Sequence, residues 1–439
     1  MTQSQQAQDS GSTAYAVSAR DVQAALIAAV YFFFVLGSYY VVRPVREQLG
    51  AAAGGSDVLP WLWTGTFIAT VVLTPFYGAI VARFPRRIFI PIAYAFFAIG
   101  MVAFSTIASS DHPSTWMAIA FYIWVSVFNL FVVAVFWSFM ADVFTDAQAR
   151  RLFGPIGIGG TVGAVAGPSA AKWLVGDIGV SGLLWLSSGA LLAALVCVLL
   201  LSRWAKRYGR RDATVAERPM GGGWWAGAKA VWADPFMRAM AILMLLADVI
   251  GTMLYALNSD IARDTLTTAV QRTEYFAGID FAANLLTFVY QIAVAPLLLV
   301  RFGPLAAMLL HCALNVIVLS LVGFIPGAEI TMIAMVLSRA GAYGLLQPAR
   351  EGLYTRVPRE LRYKAKAFID TAVWRAGDVM TSFGMNGLRA IGFGVPAFAA
   401  MAVLASAASA LFSWHAVRLS RCRGSSSCWR AWAWSRSRN

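Results

Sequence analysis

The sequence predicts an all-α membrane protein of twelve transmembrane helices in two six-helix halves. Three observations carry that reading: a shortage of charge, apolar runs of span length, and a likeness between the halves. Of 439 residues, 59% are apolar and 13% charged, with 28 Phe, 16 Trp and 37 Gly. That leaves too little polar surface to solvate a soluble body of this size. The mean hydropathy of +0.67 agrees, and in lipid Gly and aromatic residues serve helix packing and interfacial anchoring.

A helix crossing hydrocarbon needs roughly 20 mostly apolar residues, and only helices or closed barrels satisfy their backbone there. The apolar runs do not alternate, which excludes a barrel. Residues 1–23 form a polar, Gln/Ser-rich tail with neither a charged start nor a cleavage site, so the first span is expected to act as its own signal. The first half, 24–201, holds spans at about 24–42, 59–81, 88–108, 116–140, 155–176 and 180–201. A polar linker, 202–235, carries Arg203, Lys206, Arg207, Arg210 and Arg211. Within and beyond it, Gly221 to Met237 mixes Trp224, Trp225 and Trp232 with Lys229 and reads as an amphipathic connector helix. The second half, 236–415, holds spans at about 236–256, 275–300, 305–325, 330–347, 367–388 and 391–415. The basic tail, 416–439, turns Ser/Arg/Cys-rich after Leu419 and is expected to be disordered.

The formal charge is +14, from 35 basic and 21 acidic residues. The basic residues sit in short connections between apolar runs, so they report topology, and nucleic-acid binding is the weaker explanation. One side collects Arg83, Arg86, Arg87, Arg150, Arg151, the linker, Arg301, the run Arg350 to Lys366 and the tail. The other keeps Arg43, Arg46, Arg263, Arg272 and Arg389, so the positive-inside rule predicts both termini in the cytoplasm. Cys197, Cys312, Cys422 and Cys428 have no zinc-like spacing, and no disulfide framework is expected.

The halves resemble each other at a spacing of roughly 215 residues. Val81-Ala82-Arg83-Phe84-Pro85 follows the second span and Leu299-Val300-Arg301-Phe302-Gly303 the eighth; Tyr40 to Arg46 end the first span as Tyr255 to Arg263 end the seventh. Charged runs containing Arg150-Arg151 and Glu360 to Lys366 join the matching later spans. Six plus six in parallel repeat is similar to the major facilitator architecture, an analogy of fold that says little about substrate.

Ionisable groups inside a bilayer line a cavity or pair with each other. The candidates are Tyr39, Tyr40, Arg43, Arg46 and Glu47, then Lys172, Asp248, Asp280, Arg339, Lys366, Asp370, Arg375 and Asp378. Arg43 and Arg46 share a face if the helix survives Pro44, and either snorkel to headgroups or serve a pathway. Lys366 with Asp370, and Arg375 with Asp378, are spaced for local ion pairs. Arg339 has no acid three or four residues away and needs a partner from another helix or a substrate. Asp248 and Asp280 are either proton carriers or mates for Arg339 or Arg375. In span five, Gly159, Gly163 and Gly167, with Pro168 beside them, predict close helix packing, or a smooth face on which a helix slides.

No ATP-binding Gly-x-x-x-x-Gly-Lys-[Ser/Thr] occurs; the nearest stretch, Gly221 to Lys229, has the wrong order. His112, His311 and His415 are scattered, with no His-Glu-x-x-His and no Gly-x-Ser-x-Gly, so they are expected to be loop and core histidines. An enzyme is not expected, nor a metal or cofactor.

Three stretches resemble the ATP:ADP antiporter family of nucleotide transporters, and more closely its divergent relatives in free-living bacteria. They are Ser38-Tyr39-Tyr40-Val41-Val42-Arg43-Pro44-Val45-Arg46-Glu47-Gln48-Leu49-Gly50, then Phe136 to Asp142 through Arg150-Arg151 to Gly167-Pro168, then Pro348-Ala349-Arg350-Glu351 through Lys366 and Asp370 to Arg375-Ala376-Gly377-Asp378. The resemblance implies that Arg46 stands at a lysine tied to nucleotide transport, with Glu47 for the following acid and Pro44 in place of an acid. Asp142 falls on an amide-acid or amide-amide pair, Lys366 on a lysine of span eleven, and Asp378 where a lysine is frequent. It also implies a bacterial inner membrane.

The reading is a secondary transporter in the lipid bilayer, working by alternating access on a small anionic solute. A nucleotide taken in exchange is its most specific form, and oligomerisation is left open, a monomer being sufficient. Arg43, Arg46, Glu47, Arg339, Lys366 and Arg375 are the expected binding residues, with Tyr39 and Tyr40 offering stacking or hydroxyl contacts. Asp248, Asp280, Asp370 and Asp378 are candidates for proton or ion coupling, and Asp142 and the glycine stripe for packing or gating. The alternatives are proton-coupled movement of an unrelated solute, and a non-transporting sensor or scaffold.

Overall fold

A computed structural model describes residues 18–83, 86–108, 114–208, 226–325, 327–355, 357–358, 365–366 and 368–422. The N-terminal tail up to 17, Phe84-Pro85, His112, linker residues 209–225, the charged run 359–364 and the tail beyond 422 lie outside the described residues.

Twelve helical rods account for the apolar runs. The first four are α1 (Ala19–Gly54), α2 (Leu59–Arg83), α3 (Arg86–Ala108) and α4 (Thr115–Val143). Asp146–Tyr208 runs on without a loop, but Gly179, at φ 66° and ψ 177°, breaks it into α5 (146–178) and α6 (180–208). A side chain is penalised at that φ, and glycine removes the penalty. The second six are α7 (Pro235–Thr265), α8 (Ala269–Arg301), α9 (Pro304–Phe324), α10 (Ala328–Tyr354), α11 (Ile369–Val373 running into Trp374–Ala390) and α12 (Val395–Cys422). Successive rods run antiparallel, so Ala19 and Cys422 lie at one end, here the proximal end, and Gly54 and Ala390 at the other, the distal end. The expected amphipathic connector is helical over Ala226–Ala233, and Asp234 then caps α7 by accepting from the Met237 N–H at 3.0 Å.

Membrane character shows in length and in surface. Eight described helices, counting α5 and α6 together, are long and apolar enough to cross a bilayer, and Leu59–Leu73 and Phe89–Ser105 add shorter apolar stretches. Large apolar side chains such as Trp116, Val300, Phe324 and Leu411 face outward, as lipid contact requires.

The course of α1 departs from the sequence expectation. An apolar run closing near 42 predicts the end of the span there, but the helix continues through Pro44 to Gly54. Pro in a helix interior costs about 3 kcal/mol, and the polar pairs that Arg43, Arg46 and Glu47 make with other helices offset that cost.

Gly159, Gly163 and Gly167 of α5 lie directly on α1. A Cβ there would stand 2.1 Å from the Ala29 carbonyl oxygen, 2.4 Å from that of Phe33 and 2.7 Å from the Tyr40 Cβ. Both helices belong to the first half, so this contact fixes α1 within its own bundle. The contact between halves beside it is polar: Asn284 of α8 donates to the Ala164 carbonyl at 2.6 Å.

Three apolar clusters organise the interior. One fills the first half, one lies proximally in the second half, and the third joins Ala51, Leu59, Leu62 and Trp63 to Leu254, Leu257, Phe276 and Met385. That third cluster seals the two halves together distally.

Candidate functional site

Below the distal seal, a cavity of about 280 Å³ opens between the halves. The first half supplies Arg43 and Arg46 from α1, Trp63 and Thr66 from α2, and Tyr122, Ser126 and Asn129 from α4. The second half supplies Asp248, Thr252 and Tyr255 from α7, His311 from α9, Arg339, Tyr343, Gln347 and Arg350 from α10, and Trp374, Arg375 and Asp378 from α11.

The helix through Pro44 turns Arg43, Arg46 and Glu47 inward, so they do not reach headgroups. Their side chains are 15%, 11% and 3% exposed. Arg43 approaches Glu47 at 3.6 Å and, across the halves, Asp280 at 3.3 Å. Arg46 donates to Glu47 and to the Ser126 hydroxyl, the latter at 3.2 Å, and its guanidinium lies over the Tyr122 ring at 4.7 Å. Glu47 also accepts from the Tyr255 hydroxyl of α7. Tyr255 in turn lies 3.1 Å from the Tyr122 hydroxyl, which accepts from the Trp63 indole N–H at 3.1 Å. The matching ends of α1 and α7, noted in the sequence as repeats, thus meet each other.

Arg339 finds its partner on another helix, as its isolation in sequence requires: it donates to Asp280 at 2.5 Å. One carboxylate of α8 therefore holds an arginine from each half. Opposing guanidiniums on one carboxylate in low dielectric bind strongly only as a complete set. Asp248 and Asp378 border the cavity together, with Thr252 donating to Asp378 at 3.3 Å and Arg375 at 3.5 Å from it. The local pair Lys366–Asp370 is present at 3.8 Å, but Lys366 sits closer to Glu351, at 2.9 Å, and Arg350 reaches Asp370 at 3.3 Å.

Of the residues expected at the site, Arg43, Arg46, Arg339, Arg375, Asp248 and Asp378 line the cavity. Glu47 and Asp280 stand behind it and hold the arginines. Tyr39 and Tyr40 are outside the lining: Tyr39 is 6% exposed and its ring lies 6.4 Å from that of Phe128, and Tyr40 packs beside Gly167. They sit one helical turn before Arg43, whose guanidinium lies 5.8 Å from the Tyr40 ring centroid, so they back that arginine without reaching the cavity. Lys366 and Asp370 form a proximal cluster at the mouth, and Lys172 and Asp142 are exposed elsewhere. The aromatic walls come from Trp63, Tyr122, Tyr255, Tyr343 and Trp374, none of which the sequence distinguishes from core or interface aromatics. His311, expected in the core, is 3% exposed yet borders the cavity.

The distal end is closed by polar contacts between halves. Asp260 of α7 accepts from the Ser56 N–H at 2.8 Å, and Arg389, which Asp260 holds at 2.6 Å within the second half, donates to the Ser56 hydroxyl; Arg263 reaches Asp57 at 3.3 Å and donates to the Gly54 carbonyl at 2.9 Å. Gly55, at φ 60°, lets the turn after α1 approach: a Cβ there would lie 2.7 Å from an Asp260 oxygen.

Comparison with known proteins agrees with this architecture. The nucleoside transporter NupG superposes with a TM-score of 0.62 at 13% identity, over 92% of this chain and 99% of that one. A bacterial homologue of the iron transporter ferroportin gives 0.64 at 12%, over 91% and 98%; a bacterial homologue of the human lysosomal transporter Spinster gives 0.58 at 14%, over 92% and 97%. Identities this low establish a shared fold alone. No curated protein matches the chain in sequence. The Major Facilitator Superfamily model matches residues 23–380, and the chain accordingly belongs to that superfamily, as a multi-pass membrane transporter.

Proposed function

We propose that the protein is a secondary transporter of a small anionic solute that carries a flat ring, with nucleotide exchange as its most specific form. One observation carries the reading: five guanidinium groups drawn from both halves line a single cavity together with five aromatic side chains. Guanidinium matches carboxylate and phosphate geometry, and rings offer stacking faces. The volume lies at the lower edge of the roughly 300–1,000 Å³ usual for small-molecule sites. A solute with one ring and one anionic group suits it better than a triphosphate tail, which would extend into the mouth. Movement would follow from opening the distal seal as the proximal mouth closes, with no hydrolysis step.

In proteoliposomes, labelled AMP should enter only when unlabelled nucleotide is trapped inside, and Arg339→Ala should stop that flux in a folded protein. Flux independent of internal nucleotide would reject exchange.

A second reading is proton-coupled movement, favoured by the two carboxyls, Asp248 of α7 and Asp378 of α11, that line the same cavity. An imposed pH gradient should then drive uptake in the wild type and not in Asp248→Asn; equal response in both would reject it.

A further inference from the structure

Four of the five cavity arginines have their charge answered by carboxylates already placed for them. Arg43 and Arg339 share Asp280, Arg46 holds Glu47, and Arg375 faces Asp378. Arg350 differs. It is 6% exposed and borders the cavity, yet its Nη1 meets the Met244 thioether at 2.5 Å and its Nε has no hydrogen-bond partner. Thioether sulfur is a weak acceptor. The carboxylate nearest to Arg350, Asp370 at 3.3 Å, also neighbours Lys366, and Glu351, 3.9 Å away, is engaged by Lys366 at 2.9 Å. Buried donors without an oxygen partner are costly; Arg43 and Arg46 share the unpartnered Nε but each turns Nη1 to an oxygen, whereas on the Arg350 fork both Nε and Nη1 lack one.

We propose that Arg350 is the seat for the oxyanion group of the transported solute, a carboxylate or a phosphate, and that the Met244 sulfur only holds the guanidinium in place while the seat is empty. The proposal rests on the anion reading above and sharpens it. The arginines of the distal network are structural ties between the halves, and the substrate's charge goes to the proximal one. Gln347, one turn earlier on the same face of α10, and Trp374 of α11 border the same cavity and supply an amide and a ring beside the seat. Arg339 lies 11 residues before Arg350, or about 16 Å along the helix, so a small anion does not bridge the two.

The test is calorimetric binding of inorganic phosphate, malate and AMP to the full-length protein in nanodiscs. The three probes separate phosphate from carboxylate, and either from a ring-bearing phosphate. At least one should bind the wild type, and Arg350→Gln should weaken it at least about tenfold, the loss expected for a charge-assisted contact. Arg350→Lys should recover part of that loss, and Met244→Leu should bind as well as the wild type or better. Arg350→Gln with wild-type affinity overturns the proposal while leaving the anion reading intact. A wild type that binds none of the three overturns the anion reading itself. If Arg350→Gln does not fold, phenylglyoxal labelling of the wild type decides: bound anion should slow modification of Arg350 at least about threefold, and no protection refutes the seat.

Discussion

Asp260→Asn weakens the distal closure without changing shape. In the structure Asp260 answers Arg389 at 2.6 Å, Arg263 at 3.7 Å and the Ser56 N–H at 2.8 Å. Asn keeps an acceptor for the Ser56 N–H, the contact of these three that crosses between the halves, but turns that bond from charge-assisted to neutral. A charge-assisted hydrogen bond contributes about 1 kcal/mol more than a neutral one. The two arginine pairs lie within the second half and add nothing directly to closure, and the Asp260 side chain is 16% exposed, so solvent screens part of the difference. The closure should weaken by up to about 1 kcal/mol, a factor of roughly 5 in the ratio of distally closed to distally open molecules. Spin labels at positions 58 and 391, one in each half at the distal end, read that ratio by pulsed electron resonance. The long-distance population should rise by that factor in Asp260→Asn. An unchanged distance distribution in a folded variant would refute the claim that the Asp260 carboxylate on the Ser56 N–H holds the end shut.

Asp280→Asn should leave the buried Arg339 guanidinium without its carboxylate and Arg43 with Glu47 alone, and lower stability by about 3–5 kcal/mol; adding Arg339→Gln should recover part of it, and strictly additive unfolding temperatures would deny the pairing. Gly163→Ala should force α1 and α5 apart, since its Cβ would sit 2.4 Å from the Phe33 carbonyl oxygen. Thermal unfolding should report a loss of about 1–3 kcal/mol, with an unaltered midpoint counting against the close contact. Tyr255→Phe removes the donor that joins α7 to Glu47; about 1 kcal/mol of closure should be lost, visible as a rise in the same spin-label distances of similar size to that in Asp260→Asn, and an unchanged distribution would deny that this bond ties the halves.

The twelve spans are legible because each apolar run answers to one solvent, lipid, whatever its neighbours do. Residues around Pro44 are not. Locally, Arg43-Pro44-Val45-Arg46-Glu47 has every mark of a helix end: charge, proline and the close of an apolar run. What keeps it helical is long-range, in Asp280 of α8 and Tyr255 of α7, and no window of sequence contains those. The arginines and acids of the cavity are legible because burying charge is costly anywhere in a membrane protein. Which of them pair is legible only for neighbours such as Arg375 and Asp378. Arg350 is hidden by its sequence surroundings, a charged run that reads as a connection. Tyr39 and Tyr40 stand outside the lining because they lie on the α1 face turned toward α4 and α5. Several charges within one stretch identify a functional region, but the helix face each takes is decided by packing.

The two halves are not mechanically alike, and the asymmetry bears on where the cavity opens. In the first half α1 and α5 meet at backbone distance, which leaves no slack. In the second half three helices carry π-helical turns, at Tyr290–Val294, Ala342–Leu346 and Ile369–Val373. Two of these precede Pro296 and Pro348, whose missing N–H leaves the backbone carbonyl four residues earlier without its helical donor. A wider turn redistributes that deficit, and Gln291 of one π turn donates to the Tyr343 carbonyl of the other at 3.3 Å. The compliant segment of α10 therefore lies between Arg339, tied distally through Asp280, and Arg350 at the proximal side. Bending there moves Arg350 and Trp374 relative to the first half while the distal ties stay whole. A bundle that pivots on a stiff half and yields in the other can open and shut its proximal mouth while its distal closure holds, and alternating access requires that the two ends never stand open together.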